Sequence, residues 1–296
     1  YNFTNVVDDS LMEISHVIRG EEHLSNTPKQ ILIQKALGFE EVRYAHLPLI
    51  LAPDRSKLSK RALETSLDDY RRQGYLSCAI LNFIALLGWH PKDDKEILTP
   101  EELIAEFDLK RVQKAGAIFN VEKLEWLNSQ YIKNTESEEL AKKLADFTPA
   151  EWLEDREFLI KIINLEKERL KKLMDFKEAG EFFFEPPDYE PELLFWPRPP
   201  KGDAEPLGDK NKTTANLKLL TEEISKIFKV DFKKENLEKA IMPLTEVWGR
   251  GELLWPLRAA LSGRAASPGP FEIMEVLDKE ETLRRLGVAL KKLHSI

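Results

Sequence analysis

Seven prolines fall between Pro186 and Pro206, inside a run (181–209) that carries eight acids against two bases. Proline has no amide hydrogen and holds φ near about −65°, so this stretch can build neither a helix interior nor an inner strand. It interrupts any fold the chain adopts, and residues 185–209 read as an acidic linker that repels phosphate. The sequence also changes character along its length. Period-2 alternation, the mark of a half-buried strand, is confined to the region before about residue 130, and the apolar spacing after it is helical. The predicted fold class is mostly α with a small α/β part.

The chain has 296 residues, 42% of them hydrophobic and 32% charged. That suffices for a packed core, argues against disorder, and sets a length prior of about two domains. The single cysteine, Cys78, excludes a disulfide framework and leaves no cysteine zinc site; in its apolar run (75–87) it reads as a small buried hydrophobe. No apolar stretch approaches the ~18 residues that cross a bilayer, and no signal peptide opens the chain. The expectation is a cytoplasmic, reducing compartment and no membrane. A formal net charge of −8 counts against a nonspecific nucleic-acid coat but permits one basic face. Tyr1 opens the chain, and apolar residues at 1, 3, 6 and 7 read as already structured. A start inside a domain is therefore expected.

His16-Val17-Ile18 reads as a strand ending at Arg19-Gly20. A helix is predicted next, with Thr27 as N-cap, Pro28 at N1, an apolar face of Ile31, Leu32 and Leu37, and Gly38 at its end. This is the βα unit of a doubly wound sheet, whose ligands sit beyond the carboxyl ends of strands, where Arg19, Gly20 and Glu22 fall. A second strand is predicted over 45–52, followed by the Pro53-Asp54 turn. Ser66 should cap a short helix that stops at Gly74, and the run 75–87 should be a buried helix. Thr99-Pro100-Glu101-Glu102 is a capping box, and 120–127 reads as one more short helix. Thr148-Pro149-Ala150-Glu151 repeats the box pattern before a helix predicted from about 156 to 177. Over 161–177 that helix is locally +3, with Lys161, Lys167, Arg169, Lys171, Lys172 and Lys177 on one face. Helices are also expected at 213–229, 234–241, 252–262 and 271–293, with a tight loop at 262–270.

Lys57-Leu58-Ser59-Lys60-Arg61 is the chemically richest stretch. A short cationic loop after a strand suits the stabilisation of charge spreading over phosphate oxygens. Taken alone it reads first as a solvated basic turn. Arg19, at a strand end, could clamp a carboxylate with two parallel hydrogen bonds, or pair with Glu21 or Glu22. His16, His46, His90 and His294 have no metal-like spacing, and no metal ligand set emerges.

Several stretches then fall in one order: 1–9 (Tyr-Asn-Phe-Thr-Asn-Val-Val-Asp-Asp), 16–23 (His-Val-Ile-Arg-Gly-Glu-Glu-His), Asn26-Thr27-Pro28 and the basic pentapeptide. Phe119-Asn120 with 122–128 follows, then Pro256-Leu257-Arg258, Leu261-Ser262-Gly263 and Pro268-Gly269. This ordered set resembles the bacterial-type glutamyl-tRNA synthetases, which are class I aminoacyl-tRNA synthetases. A His-x-Gly-His stretch, the family's other ATP signature, is absent. The resemblance therefore implies a C-terminal portion: the second, truncated half of a Rossmann catalytic domain (1–35), a stem-contact domain with the basic loop (36–135), and two α-helical anticodon-binding domains (136–195 and 196–296).

The resemblance implies ATP-dependent attachment of glutamate to tRNA(Glu) through glutamyl-adenylate, with Mg2+ accompanying ATP, no zinc, and a monomer. It implies that Lys57 and Lys60 are catalytic, and that Glu22, His23, Lys57, Leu58, Ser59, Lys60 and Arg61 border ATP. It places Tyr1, Asn5 and Arg19 in a glutamate pocket. Lys123, Arg169, Arg258, Ser267, Pro268 and Pro270 are implied tRNA contacts, with Arg169 at a position where arginine accompanies strict reading of the third anticodon base. The alternative is a tRNA-binding module with no catalysis of its own. A glutaminyl-tRNA synthetase, which reads the anticodon with β-barrels, is disfavoured by the helical periodicity after residue 135. A helical scaffold would leave the basic loop without a role.

Overall fold

The computed structural model of the protein describes residues 1–58, 66–197 and 209–295. Ser59, Lys60 and Arg61 of the expected phosphate loop lie outside the described residues. The chain falls into two compact units, Tyr1–Asn134 and Thr135–Ile296.

The first unit opens with helix α1 (Asn2–Leu11), strand β1 (His16–Gly20), helix α2 (Thr27–Leu37) and strand β2 (Arg43–Leu47). β1 and β2 pair in parallel, with Arg19 opposite His46, so the predicted βα unit is present as a βαβ crossover. Thr27 is not the N-cap: it is the first residue of α2, after Asn26, and its hydroxyl donates to the His23 carbonyl at 3.3 Å. Gly38 ends α2 as expected. The apolar face is also corrected. The inward stripe is Thr27, Gln30 and Gln34, while Leu32 and Leu37 are 67% and 41% exposed. A polar stripe can be buried because it finds partners: Gln30 bonds Arg19 and Asn5, and Gln34 donates to the Tyr44 hydroxyl.

The strand predicted over 45–52 is two strands. Pro48 cannot donate to a ladder, so β2 stops at Leu47. β3 (Ile50–Leu51) pairs in parallel with a different strand, β4 (Ala117–Ile118). The chain then doubles back. Ala52 N–H donates to the Ser56 carbonyl (2.8 Å) and Leu58 N–H to the Ile50 carbonyl (3.1 Å). The turn between is fixed by Asp54, whose Oδ1 accepts from the Ser56 amide and hydroxyl (2.9 and 2.7 Å).

Ser66 caps α3 (Leu67–Gln73) by accepting from the Asp69 amide, and Gly74 ends it. α4 (Ser77–Leu86) is less buried than its composition suggests. Ala79, Asn82 and Phe83 point inward, Leu81 and Ile84 are about half exposed, and Cys78 is only partly covered. α5 (Pro100–Glu106) starts with the expected capping box, and α6 (Val121–Asn134) runs longer than predicted. Tyr75, Phe83, Leu124 and Leu127 form the core between α4 and α6.

The second unit is helical: α7 (Ser137–Leu144), α8 (Arg156–Glu166), α9 (Asp175–Phe184), α10 (Lys210–Lys226), α11 (Lys234–Trp248), α12 (Arg250–Ser262) and α13 (Pro270–His294). α10, α12 and α13 pack around Leu217, Leu220, Leu257, Met274 and Leu286, all fully buried. The box at Thr148 does not form: its hydroxyl donates back to the Leu144 carbonyl (3.0 Å), and Ala150–Leu153 is a short 3-10 turn. The helix predicted over 156–177 breaks after Glu166. Asp175 holds the break by accepting from the Lys171 and Lys172 amides (3.3 and 2.8 Å). Arg169 therefore sits in a turn between α8 and α9.

Residues 185–197 are a docked strap rather than a free linker. Pro191–Leu194 forms a 3-10 turn with Leu194 fully buried, and the Trp255 indole donates to the Leu193 carbonyl at 2.9 Å. Lys292 donates to Asp188 (2.7 Å) and to the Tyr189 carbonyl (2.8 Å). A Cβ on Gly251 would lie 2.3 Å from the Trp196 ring, so only glycine allows the strap this close to α12. The prolines remove amide donors, yet the carbonyls of Tyr189 and Leu193 between them still accept from helix side chains.

Candidate functional site

Arg19 is the last residue but one of β1, at the carboxyl end of a strand in the βαβ unit. Its Nη2 donates to Thr27 Oγ1 (2.8 Å) and Gln30 Oε1 (2.7 Å), and its guanidinium lies over the Tyr44 ring at 5.2 Å. Neither Glu21 nor Glu22 takes it: Glu21 accepts from the Leu49 amide, and Glu22 folds over Gly20. Arg19 Nε is buried without a hydrogen-bond partner, as is Asp9 Oδ2. With Nη2 engaged by Thr27 and Gln30, the buried Nε–H is a donor left over for an acceptor such as a carboxylate oxygen. Burial raises the Asp9 carboxyl above its ordinary range, with Arg19 pulling it back.

Gln30 also donates to Asn5 Oδ1 at 3.0 Å, so Asn5 and Arg19 belong to one network. Tyr1, 71% exposed, stacks over His23 at 6.3 Å between ring centres. His23 meets Asn26 at 3.3 Å. The structure thus gathers Tyr1, Asn5, Arg19 and His23 around the start of α2. It adds Gln30, Thr27 and His46, which the sequence reading passed over; His46 Nε2 lies 2.9 Å from Thr27 Oγ1. One signal was available: parallel register puts the residue opposite Arg19 beside the same ligand edge.

Lys57 and Leu58 follow the Asp54 turn, and Lys57 is exposed, bridging antiparallel to Leu51. Among the described residues no group of three or more His, Cys, Asp and Glu is placed to hold a metal ion.

Lys123, on α6, pairs with Glu96 and lies over the Trp126 ring at 4.2 Å. With Phe83, Leu87, His90 and Ile118 it lines a cleft of about 550 Å³.

The second unit holds a smaller cleft of about 240 Å³, and here three expected RNA contacts meet: Arg169, Ser267 and Pro268, with Arg264 and Glu166. Arg258 stands behind this loop. Its Nη2 donates to the Ala265 carbonyl (2.7 Å) and its guanidinium stacks on Trp255 (4.8 Å), pinning 263–269 in shape. Burial, then nearby Arg169, lowers the Arg258 pKa. Pro270 is buried as the first residue of α13. Arg264 pairs with Glu181 (3.2 Å) and lies 5.3 Å over Phe182. Glu166 was not anticipated. It is 1% exposed, its Oε2 lies 3.8 Å from Arg169 Nη1, and its Oε1 has no hydrogen-bond partner. Burial pushes its carboxyl up to about 7, against the pull of Arg169 and Arg264.

A strand-borne arginine with a donor to spare and a cleft lined by two guanidinium groups are the two anion-binding features that the units present. The chain belongs to the class I tRNA synthetases: residues 1–126 match the family described as tRNA synthetases class I (E and Q), catalytic domain, and residues 139–290 match the anticodon binding domain. The glutamate–tRNA ligase of Moorella thermoacetica is 40% identical over 98% of this chain and 59% of its own length. Glutamate–tRNA ligase 2 of Thermoanaerobacter pseudethanolicus is 43% identical over 98% of this chain and 60% of its own. A crystal structure of a glutamate tRNA ligase from Elizabethkingia meningosepticum, in complex with its amino acid, superposes with a TM-score of 0.81 at 37% identity, covering 99% of this chain and 60% of that one. The chain thus spans about 60% of the length of the relatives it matches. Among the described residues no helix is long and apolar enough to cross a membrane.

Proposed function

We propose that this chain carries the amino-acid edge and the tRNA-binding surface of a glutamate–tRNA ligase, which joins glutamate to tRNA(Glu) through glutamyl-adenylate at the expense of ATP. The observation that carries the reading is the meeting of Arg169, Ser267 and Pro268 in one cleft. These residues come from two stretches of sequence about a hundred residues apart, both implied as RNA contacts by the one resemblance. A guanidinium fork in a cleft of this size suits the edge of an unstacked base.

In this reading Arg19, Asn5 and Tyr1 hold glutamate, with Arg19 taking a carboxylate. Glu22, His23 and 57–61 border ATP, with Lys57 and Lys60 neutralising charge that grows on the leaving pyrophosphate. Lys123 and Arg258 support the tRNA, the first as a phosphate contact that positions without reading sequence. Residues 1–35 act as nucleotide-fold residues, 36–135 as a stem-contact region, and 136–195 with 196–296 as the anticodon-binding region. A cytoplasmic monomer completes the reading, which the lone, half-covered Cys78 suits.

The test is a titration of the chain with transcribed tRNA(Glu) and with transcripts altered in the anticodon, at two salt concentrations. Preference for the unaltered triplet supports the reading, and equal binding of all transcripts overturns it. The second reading is a tRNA-binding module without catalysis of its own. Glutamate-dependent exchange of pyrophosphate into ATP separates the two: exchange by the chain excludes the module.

A further inference from the structure

Glu166 is a buried acid at a place that disfavours one. It ends α8, where the carbonyl dipoles of the helix repel an anion. Its neighbours at the cleft are cationic and anionic in turn: Arg169 from the turn after α8, Arg264 from the loop after α12, and Asp175 and Glu178 from α9. Arg264 is shared with Glu181 and Phe182. Arg258 lies close enough to Arg169 to repel it. Glu166 is thus the carboxylate set against the one cleft guanidinium that Glu181 does not hold.

We propose that Glu166 is the positioning residue of this cleft: its ionised carboxylate keeps the Arg169 guanidinium turned toward the bound base, so that Arg169 discriminates only while Glu166 is charged. The proposal rests on the reading of the cleft as a base site. A protonated Glu166 would present a donor to a group made only of donors, and Arg169, 42% exposed, would swing to solvent. Burial has already moved the Glu166 carboxyl into the neutral range, and no histidine lines the cleft to titrate in its place.

The experiment measures dissociation constants of the full chain for transcribed tRNA(Glu) and for one transcript altered at an anticodon base, at about pH 8 and about pH 6, at fixed salt. The readout is their ratio. For the wild-type chain the ratio should fall at least about fivefold on acidification, the scale of losing a well-aimed arginine fork. Binding of the altered transcript should hold or strengthen, because the cleft gains positive charge. Glu166→Gln should give a low ratio that is flat with pH, and adding it to Arg169→Gln should change nothing further. A wild-type preference that ignores pH, or a Glu166→Gln chain that keeps the wild-type ratio, overturns this proposal and leaves the base-site reading standing. A wild-type chain with no preference at either pH overturns both. Should Glu166→Gln fail to fold, the wild-type pH series decides alone.

Discussion

Arg19 Nη2 and Gln30 Oε1 lie 2.7 Å apart, joining the end of β1 to the buried stripe of α2. Gln30 is fully buried and also serves Asn5, so one amide orders two of the residues assigned to glutamate. Gln30→Leu keeps the volume and removes every partner. It should destabilise the chain by about 2–4 kcal/mol in urea, because a guanidinium and an amide lose buried bonds together. A change below about 0.5 kcal/mol would show that Arg19 is held by Thr27 alone.

The buried acid beside Arg169 makes stability depend on pH. The folded Glu166 carboxyl titrates at about 7, above its ordinary 4.5. A raised carboxyl binds its proton more tightly in the folded state, so its contribution is full below the unfolded value and is lost as pH rises through the folded one. Melting temperature should therefore fall between about pH 5 and about pH 8, by an amount on the order of 3 kcal/mol in stability. Glu166→Gln should flatten that slope; an unchanged slope in thermal melts would assign it to other groups.

The strap supplies a third test. Leu194 is its fully buried anchor, and Leu194→Ala should cost about 2–4 kcal/mol. Trp255→Phe removes the indole donor to the Leu193 carbonyl and part of the ring under Arg258, and should cost at least about 1 kcal/mol. Both variants should speed proteolytic cleavage within 185–197. A free linker would be cut at the same rate in every chain.

Lys123 is paired with Glu96 yet assigned to RNA. If it reaches a phosphate, Lys123→Ala should weaken all transcripts alike and reduce the slope of log affinity against log salt by about one. Sequence preference should not move. An unchanged slope would leave Lys123 as the partner of Glu96 only.

Local rules carried far in this chain. Gly38, Ser66 and the Thr99–Glu102 box act as their residue types dictate, because capping is decided within one turn. The errors came where distant partners decide. Thr148 had the pattern of a cap, but the carbonyl of Leu144 took its hydroxyl. The inward face of α2 is polar because Arg19, Asn5 and Tyr44 answer it from elsewhere in the chain, which periodicity cannot show. Arg169 was picked as a helical residue and lies in a turn, since Asp175 stops the helical path through two amides. Glu166 was legible only as one acid on a basic run. Its cleft is completed by residues of the 263–269 loop, about a hundred residues later in sequence.

The docked strap bears on how a recombinant helical piece should be cut. Proline-rich sequence invites a boundary near residue 196, yet a piece starting there would lack Leu193 and Leu194 and bare an indole together with the greasy flank beside it. Such a product should clump in solution. Starting near residue 135, at the junction of the two compact units, keeps cover and covered surface on one polypeptide.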